Sequence, residues 1–343
     1  MHKQFILTTV TLLSFCLLAC KKNGQAPLLP VQTIQYIGTG ELKEGRVYAA
    51  ATAVGDKIYI FGGKTTNLRY TNTIEEFDTK TNTSITLADT LTDSKAFLTA
   101  TAIGDKIYIF GGQGKLERTS NKIEIFDTKT KTISVLSDTL KERLDALSSV
   151  AIGNSIYIFG GRITRSGNTG YTISKKIEVL DTKTNKVSML SQTLTKERHF
   201  MSAAIIGDNI YLFGGVHDEL GINGIENDIE IFNTNTKAAS ILSDSLSQNK
   251  CATSAAVVED KIFVFGGEFF KPRPYTEYQY NTIEMLDTKT QKVDTLPLKL
   301  KNVKTGTCAV TVGNKIYVFG GYDDKPGVFK TIEIFEAIRG NQV

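Results

Sequence analysis

Ile58-Tyr59-Ile60-Phe61-Gly62-Gly63 is the stretch that decides the fold, because the chain makes it six times. The other copies end at Gly112 (IYIFGG), Gly161 (IYIFGG), Gly215 (IYLFGG), Gly267 (IFVFGG) and Gly321 (IYVFGG). The glycine pairs are Gly62-Gly63, Gly111-Gly112, Gly160-Gly161, Gly214-Gly215, Gly266-Gly267 and Gly320-Gly321, with first glycines 49, 49, 54, 52 and 54 residues apart. A period near fifty, with an apolar run closed by two glycines, predicts one supersecondary unit per repeat, each stacked on the next.

Working outward from the second copy, Ala96 to Ile103 reads as a first strand, Gly104-Asp105 as a tight two-residue turn and Lys106 to Phe110 as a second strand. Gly-Asp or Gly-Asn recurs at residues 55, 153, 207 and 313, whereas the fifth copy has Glu259-Asp260 and should turn less easily. The first strands are rich in small residues, as in Ala49-Ala50-Ala51, Ser148-Ser149 and Ser202-Ala203-Ala204. This suits a central axis where wedge-shaped units converge. The second strands are apolar at every position, the pattern of a strand buried on both faces.

After a loop comes a third strand, I-E-x-F/L-D, starting at Ile74, Ile123, Ile177, Ile229, Ile283 and Ile332. A D-T-K-T-N hairpin or variant leads into a fourth strand such as Ser134 to Leu136. The sixth copy runs out of chain after its third strand. Val31 to Tyr36 precedes Gly38 to Arg46 as Ile133 to Leu136 precedes Ser137 to Arg143, so the N-terminal strand is expected to complete the sixth unit and close the ring.

These features resemble the kelch family of β-propellers from Gln32 to Phe335. They are the double glycine, the aromatic or leucine before the third strand's Asp (Phe77, Phe126, Leu180, Leu286; Phe232 precedes Asn233 and Phe335 precedes Glu336), and a basic residue sixteen before each first glycine. That basic position holds Arg46, Lys95, Arg198, Lys250 and Lys304, with Leu144 in the third copy and Arg143 one place earlier. The family's tyrosine is Phe or Leu here, and the chain has no tryptophan. The resemblance implies an all-β, six-bladed propeller over residues 31–343, with four antiparallel strands per blade.

The first nineteen residues differ from all this. His2 and Lys3 precede an apolar run from Phe5 to Leu18, and Leu17-Leu18-Ala19-Cys20 follows. A basic head, a short apolar core and a small residue before the cut describe a secretory signal, too short for a comfortable membrane span. The cysteine resembles a bacterial lipobox, which implies lipidation at Cys20, a tether over residues 20–30 and a membrane anchor. Lys21, in place of an inner-membrane retention aspartate, implies the outer membrane. Net charge is +4 without a basic run, which argues against a nucleic-acid surface. Cys251 and Cys308 fall 15 and 12 residues before their double glycines. Three residues of strand is about 10 Å, beyond the roughly 7 Å a disulfide spans between Cα atoms, so two buried free thiols are expected.

The glutamates Glu75, Glu124, Glu178, Glu230, Glu284 and Glu333 and the cations above recur once per repeat, as structural supports would. Function is sought where repeats differ. The loops between double glycine and third strand hold 10, 10, 15, 13, 15 and 10 residues, so copies three to five build up one rim. Copy five brings Phe269, Phe270, Arg273 and Tyr275, suited to stacking on sugars or anchoring a protein unless the loop folds them onto its own blade. Copy four gathers Arg198, His199, His217, Asp218 and Glu219, which could do acid–base work or hold a metal, or simply be solvated. No phosphate-cradling glycine loop, nucleophile elbow, CxxC or HExxH is present, and neither cofactor nor metal is expected. The sequence reading is a monomeric, lipid-anchored envelope module that binds protein or glycan through one rim. Its alternative is an envelope carbohydrate enzyme resembling the kelch-type sialic acid mutarotases.

Overall fold

The computed structural model describes residues 29–115, 119–164, 170–218, 224–272, 275–325 and 327–340. The signal segment, Cys20, Glu219 and Arg273 lie outside the described residues.

Six four-stranded antiparallel sheets succeed one another along the chain. Their first strands are Ala50–Val54, Lys95–Ile103, Ser148–Ile152, Ser202–Ile206, Ser254–Val258 and Cys308–Val312. Each lies against the first strand of the next sheet, and the sixth lies against the first. Alanine, serine and threonine allow that approach. The second strands are buried, with Ile58 to Phe61 at most 2% exposed, and they supply the cores between sheets. Phe61 of sheet one packs with Ile109 and Phe126 of sheet two. Phe319 of sheet six packs with Ile58 and Phe77 of sheet one. Each such buried side chain contributes roughly 2–3 kcal/mol of transfer free energy.

Sheet six takes its outer strand from the other end of the chain. Val31–Glu41 pairs antiparallel with Thr331–Arg339, from Val31 opposite Arg339 to Glu41 opposite Thr331. This strand is longer than the Val31 to Tyr36 segment expected, because a register shift between Tyr36 and Gly38 carries the pairing onward.

The double glycine joins consecutive sheets. In the third copy, Gly161 N–H donates to the Arg198 carbonyl of the next sheet at 2.9 Å. Gly160 has φ +58°, and a Cβ there would fall within 3.0 Å of the same carbonyl. Gly321 bonds the Arg46 carbonyl of sheet one in the same way, at 2.9 Å. Only a residue with left-handed backbone and no side chain fits.

The repeated charges are internal supports. Arg46 meets Glu75 at 2.7 Å, Arg198 meets Glu230 at 3.1 Å and Lys304 meets Glu333 at 2.7 Å, all at most 2% exposed. Lys95–Glu124 and Lys250–Glu284 are equally buried pairs. Each glutamate also accepts a backbone N–H from the segment leading into its sheet, as Glu230 does from Thr195 at 2.5 Å. Sheet three lacks the cation. Leu144 occupies its place, Arg143 turns to the Thr119 carbonyl, and Glu178 Oε1 has no hydrogen-bond partner. Burial holds the Glu178 carboxyl above its usual range.

The turns follow their chemistry. Asp78 Oδ1 accepts the N–H groups of Lys80 and Thr81 at 2.8 and 3.3 Å. Glu259 carries φ 57° where the other copies have Gly, a left-handed strain of roughly 1–2 kcal/mol. Cys251 and Cys308 are both free, Cys251 buried and Cys308 half-buried.

Candidate functional site

Two residues after each basic position the chain turns inward. Tyr48, Phe97, Ala146, Phe200, Ala252 and Gly306 all have φ between 51° and 61°. Their backbones form a cycle of hydrogen bonds: Phe97 N–H to Tyr48 O, Ala146 to Phe97, Phe200 to Ala146, Ala252 to Phe200, Gly306 to Ala252 and Tyr48 to Gly306, all 2.8–3.0 Å. Side chains at this level meet on the axis. The Tyr48 ring lies 4.5 Å from Phe97 and 5.9 Å from Phe200, and Phe97 lies 5.5 Å from Phe200. The cluster is possible because a Cβ at position 306 would collide with the Tyr48 ring. It plugs one mouth of an axial channel, leaving a cavity of about 100 Å3 beside the plug. A separate cavity of about 420 Å3 lies farther along the first strands, between Ala51, Ala53, Ala102 and their counterparts.

The walls of this mouth come from the residue just after each double glycine. Lys64, Arg162 and Glu268 occupy that place in sheets one, three and five. Lys64 Nζ lies 5.0 Å from the Phe97 ring centre, and the Arg162 guanidinium lies 5.5, 5.1 and 5.3 Å from Phe97, Phe200 and Tyr171. Such contacts contribute roughly 0.5–2 kcal/mol each. Arg162 Nε also donates to Asp145 at 2.6 Å. Opposite stands Glu268, 8% exposed, with the Tyr48 hydroxyl donating to its Oε1 at 3.5 Å. Burial, reinforced by the Glu277 charge, raises the Glu268 carboxyl to about 7, against the opposing bond from Tyr48. Burial and Glu268 together push the Tyr48 phenol well up. The mouth therefore has an aromatic floor, a cationic side and a side whose acid group changes charge near neutrality.

The residues singled out in the sequence do not form one site. Arg198 is 1% exposed and bonds Glu230, Asp228 and the Gly214 carbonyl, so it is a sheet support and does not reach the rim. His199 is 2% exposed, packed on Tyr171 and Phe200, and burial with the Arg162 charge holds its pKa well below the usual value. It is pulled inside because its backbone bridges Val216 behind the aromatic floor. His217 stays on the surface, 35% exposed, with Nδ1 2.9 Å from Glu226. Asp218 lies half-buried against Gly224. No group of three metal-ligating side chains occurs among the described residues. Phe269 and Phe270 are half-buried against Val216, Ile225 and Cys251, and Tyr275 belongs to the hairpin formed by Glu268–Pro272 and Tyr275–Gln279. The two phenylalanines thus fold inward against Val216 and Ile225 of copy four's loop as well as Cys251 of their own copy.

Tyr48, Phe97, Arg162, Phe200 and Glu268 escaped the sequence reading. They carry a signal all the same. They occupy fixed offsets from the recurrent cation position or the double glycine, at positions where residue type changes from copy to copy.

The double-glycine repeat matches the KLHDC2/KLHL20/DRC7 Kelch-repeats domain over residues 32–143 and 138–321. Among curated proteins, the chain is 26% identical over 173 residues to Spermatocyte protein spe-26 of Caenorhabditis elegans, covering 48% of this chain and 28% of that protein. It is 28% identical over 163 residues to N-(sulfonatooxy)prop-2-enimidothioate sulfolyase of Thlaspi arvense, covering 45% of this chain and 46% of that protein. The matched region thus spans less than half the length of either curated relative. Among solved structures, "Structure of YjhT" superposes with a TM-score of 0.73 at 14% identity, covering 85% of this chain and 95% of the other. That likeness concerns the fold. On the repeat, the matched family and this β-propeller likeness, the chain belongs to the kelch-repeat family.

Proposed function

We propose that the protein is a kelch propeller of six blades, closed by its N-terminal strand and anchored to the cell envelope by lipid at Cys20, which binds a glycan at its axial mouth. Three observations support the closed ring: the pairing of Val31–Glu41 with Thr331–Arg339, the core shared by sheets six and one, and the hydrogen-bond cycle through Tyr48 and Gly306. The lipobox-like Leu17-Leu18-Ala19-Cys20 supports the anchor and, with Lys21, an outer-membrane location.

The observation that carries the binding reading is the aromatic floor of Tyr48, Phe97 and Phe200 between Arg162 and Glu268. Pyranose rings lay apolar C–H faces on aromatic surfaces and present hydroxyls at their edges, which suits a floor of rings inside a polar wall. An anionic substituent would lie toward Lys64 and Arg162. A glycan array probed with the purified domain tests this, alongside capture of protein partners from envelope extracts. Binding to a defined sugar, lost in Phe97→Ala and Phe200→Ala variants that remain folded, is the expected result. A blank array with a specific protein captured would refute the glycan reading.

A second reading, proton transfer on the bound sugar, is favoured by Glu268. A carboxyl held near 7 is half protonated at neutral pH and can both give and take a proton. Glu268→Gln should then retain binding and abolish anomer interconversion followed by NMR. An unchanged interconversion rate would remove this reading.

A further inference from the structure

The described chain begins at the end of the ring opposite the aromatic mouth. Each first strand runs from the mouth to a hairpin turn, and the third strands of the first five sheets run from the mouth to a D-T-K-T turn or its N-T-N-T variant. The two sets of turns are locked together, as Thr79 N–H bonds the Asp56 carbonyl at 3.1 Å and Thr128 N–H bonds the Asp105 carbonyl at 2.9 Å. At this turn face Val31 sits opposite Arg339, and Gly340 N–H donates to the Pro30 carbonyl at 3.0 Å. Arg339 reaches the Leu29 carbonyl at 3.2 Å and the carboxylate of Glu259, which belongs to the sheet-five turn. The chain therefore leaves the domain through the turn face.

Residues 20–30 span at most roughly 40 Å fully extended. Strand Val31–Glu41, which climbs from the turn face to the mouth, is 11 residues and roughly 36 Å long. Bringing the mouth to the lipid surface would use nearly the whole tether just to pass the height of the domain. Charge points the same way. The five turns at residues 78–83, 127–132, 181–186, 233–238 and 287–292 hold eight lysines against four aspartates. The hairpin turns locked to them add Lys57, Lys106, Lys261 and Lys315 against Asp56, Asp105, Asp208, Glu259 and Asp260, which leaves the face at twelve lysines to nine carboxylates. Lys80, Lys129, Lys289 and Lys292 are 70–74% exposed. Near an anionic leaflet each unneutralised lysine gains roughly 1 kcal/mol. All four gain less than that, since Lys80, Lys129 and Lys289 pair with Asp56, Asp105 and Asp260 at 2.6 Å and Lys292 lies 3.8 Å from Asp244.

We propose that the turn face lies against an anionic lipid surface and that the axial mouth opens away from the membrane. The proposal rests on the lipid-anchor reading. It assigns the ligand to the aqueous side, beyond the headgroups.

The test uses the full-length lipidated protein in vesicles of phosphatidylethanolamine and phosphatidylglycerol carrying a headgroup quencher. Fluorophores are placed at Lys80→Cys or Lys289→Cys on the turn face, and at Leu68→Cys, 50% exposed in the loop after Gly63. Cys251 is buried but Cys308 is half-buried, so both are first changed to alanine and only the introduced thiol is labelled. Quenching at 80 and 289 should exceed that at 68 several-fold. Equal or stronger quenching at 68, in protein that mass spectrometry shows to be acylated, overturns the orientation alone. Absence of acylation, or undiminished vesicle binding by Cys20→Ser, overturns the anchor and the orientation with it.

Discussion

Changing Glu178 to glutamine should stabilise this protein, while the same change at Glu230 should damage it. The two glutamates hold equivalent places in sheets three and four, 2% and 0% exposed. Glu230 receives Arg198 at 3.1 Å and the Thr195 N–H. Removing its charge leaves the buried Arg198 guanidinium with Asp228, 2.7 Å away, as its remaining counter-ion and forfeits a buried charge-assisted hydrogen bond, a loss of roughly 1.5–3 kcal/mol. Glu178 receives the Lys141 N–H at 2.8 Å but no cation, because Leu144 stands where the other sheets have Arg or Lys. An uncompensated buried polar group costs about 1–3 kcal/mol, and a neutral amide keeps the acceptor for Lys141 while shedding the charge. We expect Glu178→Gln to gain about 1–2 kcal/mol at pH 8. Burial raises the folded-state pKa of Glu178 above the model value of 4.5. The folded state therefore holds this proton more tightly, and the stability it confers is complete below 4.5 and lost as pH climbs through the raised value. The gain from Glu178→Gln should accordingly vanish at pH 4. Urea unfolding of both variants at pH 4 and 8 is the assay. Destabilisation by Glu178→Gln at pH 8 comparable to that of Glu230→Gln would refute the reasoning.

Other consequences follow from the same contacts. Gly160→Ala and Gly153→Ala place the same side chain at φ +58°, but only position 160 has a carbonyl within 3.0 Å of the new Cβ. Gly153→Ala should cost about 1 kcal/mol from backbone strain and Gly160→Ala distinctly more, read by thermal melting. Deleting residues 31–36 removes pairing to Thr331–Arg339 and the buried Val31 and Ile34, so it should lower the melting temperature far more than deleting residues 340–343. Equal melting temperatures would contradict the closing role of the N-terminal strand. Glu268, raised to about 7, should contribute stability that falls between pH 4.5 and 7, and Glu268→Gln should flatten that part of the profile.

The repeat made the blade legible because its demands are local. A strand buried on both faces must be apolar throughout, and a chain passing beneath the next sheet's carbonyl at Gly160 must lack a side chain. The N-terminal strand could be placed because every other unit had four strands and the last had three. The mouth was harder to see. Tyr48, Phe97 and Phe200 lie far apart in sequence and meet only because equivalent left-handed positions converge on one axis. Arg198 was legible both as a recurrent supporting cation and as a partner of His199 in a rim cluster; only the first holds, and His199 follows it into the interior. Glu268 reads as an ordinary acid after a glycine pair until burial beside Tyr48 and Glu277 moves its proton to neutrality.

The central claim, that the axial mouth is the binding site, is tested most directly by titration calorimetry of a glycan selected on the array. Wild type, Phe97→Ala, and Tyr278→Ala as an exposed control on the sheet-five hairpin should be compared at pH 6 and 8. The account predicts at least a ten-fold affinity loss for Phe97→Ala, little change for Tyr278→Ala, and a wild-type affinity that changes between the two pH values as Glu268 ionises. Affinity that ignores both Phe97 and pH, but collapses with Tyr278→Ala, would move the site to the outer hairpin and contradict it.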